Sequence, residues 1–282
     1  MAAFRNAGVS PARPAGFAPE QVMIQENVGR AVRVPGTAPV SQPRLIPPKV
    51  WLTADSHSLY SKAQECVETW RKVNPTWAVT LMDREERFDF VRTVYGGEIW
   101  RVFQTMPLGV MEADFWRYLV VHHHGGVYAD TDASCMEEVE RWVAAEDGLV
   151  LGLENEVHFE NWTFAAKPGH SALGRVIELI LKRAHGGWRM EDEHMVHYHT
   201  SPGVFSDGIL GYLRKKRTDL ARLAGVHQSR TSADGLIRIY PSAMLLRGAV
   251  VHHFGSATWG QSYKSWTKER QAMRARTEVA TS

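Results

Sequence analysis

Ten residues, Gly125-Gly126-Val127-Tyr128-Ala129-Asp130-Thr131-Asp132-Ala133-Ser134, constrain this chain more than any other stretch, because they read as a strand running straight into two carboxylates. Extended backbone there would project Asp130 and Asp132 from the same side. Two carboxylates so spaced at the carboxyl end of a strand make a hard oxygen site suited to Mg²⁺ or Mn²⁺ bridging a diphosphate. For an isolated Asp-x-Asp, a polar turn after a strand is the commoner outcome. The surrounding chain decides between the two.

Upstream, residues 45–52 read as a short strand entered through Pro47 and Pro48. Residues 58–73 read as a helix, with Leu59, Ala63, Cys66, Val67 and Trp70 at helical spacing, and Asn74-Pro75 stops it. Residues 77–82 form a second strand, giving a strand-helix-strand unit typical of a parallel α/β sheet. An irregular helical stretch reaches Trp100 and Phe103. Residues 110–123 then form a helix that Gly125-Gly126 ends with a left-handed cap and a tight turn. Ligands of open α/β sheets collect beyond the carboxyl ends of strands, which is where Asp130 and Asp132 stand. Farther on, residues 149–153 and 161–166 read as strands, 172–184 and 205–216 as helices, and 237–240 and 249–254 as late strands.

With 282 residues and 44% hydrophobic content, the chain can bury a core the size of one large domain. Pro11, Pro14, Pro19, Pro35, Pro39 and Pro43 lie in an aperiodic stretch, so residues 1–44 are expected to be a flexible leader. The expected domain covers 45–268 and a polar tail covers 269–282. The 33 basic and 31 acidic residues are interspersed, which argues against a nucleic-acid tract. Cys66 and Cys135 are too few for a disulfide framework and lack zinc spacing, and a single bridge is the less expected case. No run approaches the eighteen or so apolar residues of a membrane span, and no signal-peptide core is seen at the N-terminus. The chain as given therefore reads as soluble. Nothing in it fixes an oligomeric state.

Asp114 and Arg117 are three residues apart and share a helix face. A surface salt bridge and a functional pair weigh equally on spacing alone. In the functional reading, the carboxylate accepts from sugar hydroxyls while the guanidinium holds phosphate oxygens. Trp116 and Tyr118 read as core. His122-His123-His124 suggests metal by composition, but consecutive helical residues fan out around the axis, so these read as a partly solvated helix end. Glu191-Asp192-Glu193-His194 reads as a solvated charge run. Asn161 is placed to bond sugar hydroxyls, and Asn161-Trp162-Thr163 also fits a glycosylation sequon. Ser201-Pro202-Gly203 reads as a turn whose amides can face phosphate.

Asp114-x-x-Arg117-Tyr118 followed by Gly125-Gly126-Val127-Tyr128-x-Asp130-x-Asp132 closely resembles the sugar-binding region of glycosyltransferase family 32. That family includes initiating α-1,6-mannosyltransferases and inositol-phosphorylceramide mannosyltransferases. Further blocks agree in order: Ile46-Pro47-Pro48-Lys49-Val50-Trp51, Trp70-Arg71-Lys72-Val73-Asn74-Pro75, residues 161–170, residues 200–205, and His252-His253-Phe254 with Trp259. Ser201 stands where the family's turn carries Gly. Six ordered blocks spanning residues 46–266 are far more specific than one short motif.

The resemblance implies a GT-A glycosyltransferase fold in a single domain, a Rossmann-like mixed, mostly parallel sheet flanked by helices. It implies metal-dependent, retaining transfer of a hexose, mannose first, from a nucleotide-sugar to a glycan or glycolipid acceptor. GDP-mannose is the first donor expected, with a UDP-hexose as alternative. Catalytic roles fall to Asp130, Asp132 and Arg117. Donor contacts fall to Asp114, Arg117, Gly125, Gly126, Tyr128, Asp130, Asn161, Ser256 and Trp259. Asp132 and Asp130 would ligate Mn²⁺ or Mg²⁺, with His253 as further ligand and His252, facing the other way on a regular strand, ranked second. Many relatives work in the Golgi lumen, whereas a complete chain of this kind would be cytoplasmic. Two other readings remain open. Asp130-Thr131-Asp132-Ala133-Ser134 superficially fits the nucleophile loop of haloacid-dehalogenase phosphatases, though such a loop normally opens its domain. A carbohydrate-binding protein without catalysis is the other.

Overall fold

The structure, a computed structural model, describes residues 43–155, 157–188, 194–217, 227–231, 234–245 and 250–254. Residues 1–42 of the leader expected over 1–44, the tail over 269–282, residues 191–193, Ser256 and Trp259 lie outside the described residues.

β1 (Lys49–Thr53) leads into α1 (Ser61–Val73) and β2 (Ala78–Met82), the expected strand-helix-strand unit. α2 (Arg84–Phe90) starts at a capping box, in which the Asp83 carboxylate accepts from Glu86 N and Glu86 reaches back to Asp83 N. A π-helical turn over Val91–Tyr95 and α3 (Gly97–Phe103) occupy the stretch read as irregular helix. α4 (Gly109–His124) is buried on nearly every side, from Met111 to Val121, which is why its sequence lacks a clean polar face. β3 (Gly126–Ala129) follows, then β4 (Ala133–Cys135), β5 (Asp147–Gly152), β6 (Thr163–Ala166) and α5 (Ser171–His185). α6 (Met195–His199), α7 (Pro202–Leu213), β7 (His227–Thr231), β8 (Gly235–Tyr240), α8 (Ser242–Leu245) and β9 (Val251–His253) complete the described chain.

Seven strands form one sheet in the order β2-β1-β3-β6-β5-β8-β7, and β4 pairs with β9 in a separate ladder. β1 is parallel to β2 and β3, and β5 is parallel to β8. β6 runs against both β3 and β5, and β7 runs against β8. Five strands thus share a direction and two oppose it, the mixed, mostly parallel sheet expected. Alternation sends Val50, Leu52, Val127, Ala129, Val150 and Ala165 into one core with Val67 and Trp70 of α1. Trp51, Tyr128, Leu149, Leu151 and Phe164 enter the other core, where α4, α5 and α7 pack. Helices therefore cover both faces, as a largely parallel sheet requires.

Trp70 ties α1 to the chain beyond β3: its indole N–H donates to Ala133 O at 2.8 Å and its side chain is wholly buried. Asn74, at the C-cap of α1, donates to Trp70 O and accepts from Val139 N. Cys66 and Cys135 are both buried and free. Among the described residues, no helix is long and apolar enough to cross a membrane.

Candidate active site

β3 stops at Ala129, and Asp130 N still donates to Trp162 O at 2.9 Å before the chain turns. Ala133 N then bonds Asp130 O at 3.1 Å, closing a tight turn over Thr131 and Asp132. This corrects the extended reading: the two carboxylates meet through a turn, not through strand alternation. Beyond the turn, β4 pairs antiparallel with β9, Ala133 opposite His253 and Ser134 opposite His252. Phe254 N donates to Asp132 O at 3.0 Å and locks the end of this ladder.

The ladder delivers His253 to the carboxylates. Its Nε2 lies 3.1 Å from Asp132 Oδ1 and 4.0 Å from Asp130 Oδ2. One ligand atom from each of Asp130, Asp132 and His253 falls within 4.8 Å of the others. Two carboxylates and an imidazole form a donor set that fits Mn²⁺ or Mg²⁺ and leaves room for phosphate oxygens. Trp162 stacks on the His253 ring at 4.6 Å and 24°, fixing its plane. His252 is not among the converging groups; its ring lies against Phe254 at 4.4 Å, as pairing opposite Ser134 dictates. Burial lowers the pKa of His253, but the hydrogen bond and charge of Asp132, with Asp130, outweigh it and raise the value overall. Burial raises that of Asp130, Arg117 opposes, and Asp132 adds to the rise.

Behind the carboxylates, Asp114 and Arg117 of α4 form a buried ion pair at 2.7 Å, not a surface one. Arg117 also donates to Asn161 O at 2.8 Å, approaches Asp130 Oδ1 at 3.3 Å and lies 4.6 Å over the Tyr128 ring. Burial works against the guanidinium charge, yet Asp130, Tyr128 and Asp114 hold its pKa above the ordinary value. Asp114 is saturated: Oδ1 accepts from Arg117 and Asn161 Nδ2, and Oδ2 accepts from the hydroxyls of Thr200 and Ser201. Asp114 is 2% exposed, and these bonds give it a part in holding Arg117. Asn161 is equally internal, with its amide donating to Asp114 and Tyr118 Oη, which rules its sequon out as an accessible acceptor.

Tyr128 Oη donates to Asp130 Oδ1 and so steers that carboxylate. Gly125 and Gly126 sit at the other end of β3, roughly 13 Å from Asp130 by strand rise. Their φ values are 66° and 112°, and a Cβ would lie 2.6 Å from Pro168 Cδ or 2.5 Å from Lys49 O. They shape the entry to the strand, at the end opposite the carboxylates. His122, His123 and His124 are expected to fan apart, yet the His123 and His124 rings meet edge-on at 4.5 Å, and His124 also stacks on Trp51. Among the described residues they form no group that could hold a metal ion. Sequence reasoning missed Trp162, Thr200 and the Ser201 hydroxyl as site-building groups. It also missed Glu160, wholly buried, whose carboxyl fills the place a Cβ would take at Gly152. Burial and then the charge of Glu154 push the Glu160 pKa well above the ordinary value.

Residues 61–149 match the family described as a glycosyltransferase sugar-binding region containing a DXD motif. A protein named initiation-specific alpha-1,6-mannosyltransferase from Schizosaccharomyces pombe is 27% identical over 197 residues, covering 60% of this chain and 49% of the relative. Its namesake from Candida albicans is 24% identical over 215 residues, covering 62% and 55%. Inositol phosphoceramide mannosyltransferase 1 of Schizosaccharomyces pombe is 27% identical over 122 residues, covering 42% and 38%. The chain spans about half the length of the first two relatives. Among solved structures, a chain titled PaToxG glycosyltransferase superposes with a TM-score of 0.46 at 14% identity, covering 60% of this chain and 70% of that one. The family match and the mannosyltransferase relatives bear out the resemblance to glycosyltransferase family 32.

Proposed function

We propose that this chain, which carries a sugar-binding region of the glycosyltransferase family 32 type, is a metal-dependent retaining glycosyltransferase on a GT-A fold. It would move a hexose, mannose first, from a nucleotide-sugar to a glycan or glycolipid acceptor. The observation that carries this reading is the convergence of Asp130, Asp132 and His253 beside Arg117. Asp132, Asp130 and His253 would hold Mn²⁺ or Mg²⁺. When bound, such an ion offsets the charge that develops on the departing diphosphate. Arg117, kept charged and aimed by Asp114, is placed to add a fixed positive charge beside the same phosphates. Tyr128 orients Asp130, and Trp162 orients His253. Ser256 and Trp259 remain donor-side candidates through the family pattern. No side chain is assigned as general base.

GDP-mannose is the first donor to try, because the relatives carry mannosyltransferase names. UDP-hexoses are the alternative, since a few hydroxyl contacts decide the sugar. The test is donor hydrolysis and transfer across GDP- and UDP-sugars with Mn²⁺, against the same reactions in EDTA. Turnover that survives both EDTA and Asp132→Ala would remove the metal from the reading. Release of phosphate from an aryl phosphate, with no turnover of nucleotide-sugars, would instead favour the phosphatase alternative.

A further inference from the structure

A second concave site lies outside the residues assigned above. A cavity of about 510 Å³ is bounded by α5, α6, α7 and the segment after β5, and among the described residues its lining holds two arginines, three histidines and a single carboxylate. Asp207 is that carboxylate, and both guanidinium groups share it: Arg183 Nη2 lies 2.6 Å from Oδ2, and Arg217 Nη2 lies 2.6 Å from Oδ1. Among the described residues, one negative charge between two fixed positive ones leaves positive charge to spare. Arg217 is held in place by further bonds to Val157 O at 2.7 Å and Gly203 O at 2.8 Å. Two such forks match the geometry of phosphate oxygens.

The backbone adds to this charge. Gly203 is the second residue of α7, a 12-residue helix that begins at Pro202 with no side-chain cap, because the Ser201 hydroxyl turns away to Asp114. The positive end of the helix therefore joins the two arginines. A Cβ at Gly203 would stand 2.4 Å from His197 O, so this glycine lets His197 lie against that helix end. The His158 and His197 rings meet edge-on at 4.6 Å on the same wall.

We propose that this cavity seats a phosphate group carried by the acceptor. Both of its walls are joined to the candidate active site by short stretches of chain. Ser201, two residues from Gly203, bonds Asp114, and His158 lies three residues before Asn161, which touches Asp114 and Arg117. The acceptor assignment rests on the transferase reading, whereas the phosphate site does not. The imidazoles already respond to the local charge. Burial, then Arg217 and His197, push His158 down to about 4, with Asp207 opposing. Burial, Arg217, His194 and Arg183 lower His197, again against Asp207.

The test is calorimetric titration of the full chain with three probes: inorganic phosphate, a hexose 6-phosphate, and phosphatidylinositol vesicles set against phosphatidylcholine vesicles. At least one is expected to bind saturably. Arg217→Gln should weaken that binding about tenfold, and Asp207→Asn should tighten it several-fold, because it removes the competing anion. A purely structural role for these ion pairs would weaken both variants alike. Binding of the hexose phosphate marks a sugar-borne phosphate, and binding confined to the inositol lipid marks a lipid-borne one. No saturable binding by any probe, or weakening by Asp207→Asn, overturns the site. In transfer assays, Arg217→Gln should raise KM for a phosphorylated acceptor while kcat and donor hydrolysis stay as in the parent. An unchanged KM overturns the acceptor role. If the parent protein turns over no nucleotide-sugar, the transferase reading fails, and the phosphate isotherms still decide the cavity.

Discussion

His253 Nε2 lies 3.1 Å from Asp132 Oδ1 because the β4–β9 ladder sets Ala133 opposite His253, so a late strand closes a site begun by an early one. The β3–β6 side supplies Trp162, which stacks on the same imidazole. Asp132→Ala or His253→Ala should each lower donor turnover by about 100-fold or more. Trp162→Ala, which removes a stacking contact on His253 and none of the proposed ligand atoms, should weaken Mn²⁺ binding by about 10–100-fold. Mn²⁺ titration followed by electron paramagnetic resonance separates the two classes. Equal affinity in the Trp162 variant would leave the stacking without a positioning role.

Asp114 satisfies four donors from three parts of the chain while 2% exposed, so its first duty is internal. Asp114→Ala should cost about 3–5 kcal/mol of stability, because Arg117 and the hydroxyls of Thr200 and Ser201 lose a shared buried acceptor. Urea unfolding measures this. Unchanged stability with weakened donor binding would return Asp114 to the direct sugar contact that its family position implies.

Local pattern made much of this legible in advance. Trp70 and Val67 fall at helical spacing, and Val127 and Ala129 alternate, so α1 and β3 could be read from side-chain periodicity alone. β4 could not: Ala133, Ser134 and Cys135 are three small residues whose strand character comes only from β9, a partner far along the chain. The same dependence on distant pairing hid the turn at Asp130. Ser201 looked like part of a simple turn, yet it starts α7 and its hydroxyl reaches Asp114. The basic cavity left no local trace, because Arg183, Asp207 and Arg217 meet only when α5 packs on α7.

Gly126 tests whether the Gly-Gly turn serves shape or ligand. With φ at 112° and Lys49 O 2.5 Å from where a Cβ would stand, Gly126→Ala strains the entry to β3. The backbone conformation alone should cost about 1–3 kcal/mol. Donor affinity per folded molecule should stay as in the parent, since the carboxylates lie at the opposite strand end. Thermal unfolding and nucleotide-sugar titration on the same sample check both halves. Lost affinity with stability intact would place Gly126 at the donor after all.

His170 gives the fold a specific weakness towards acid. It is wholly buried, and its Nδ1 accepts from Ala172 N at 3.2 Å, capping α5. Nε2 has no partner among the described residues. Protonation would turn the capping acceptor into a donor and bury an unpaired charge. Burial accordingly lowers the pKa to about 4 from 6.5, with Lys167 and His122 adding to the drop and Asp234 opposing it. The unfolded chain takes up its proton near the ordinary value, so below about pH 6.5 the unfolded state binds more protons than the native one. Stability should therefore fall as pH drops from about 6.5 to about 4, by at most about 3 kcal/mol from this group, and level off below. His170→Asn keeps a good N-cap without a titrating ring. Urea unfolding of both proteins at pH 7 and at pH 4.5 should give a fall about 2–3 kcal/mol smaller in the variant. The same fall in both would move the acid sensitivity elsewhere.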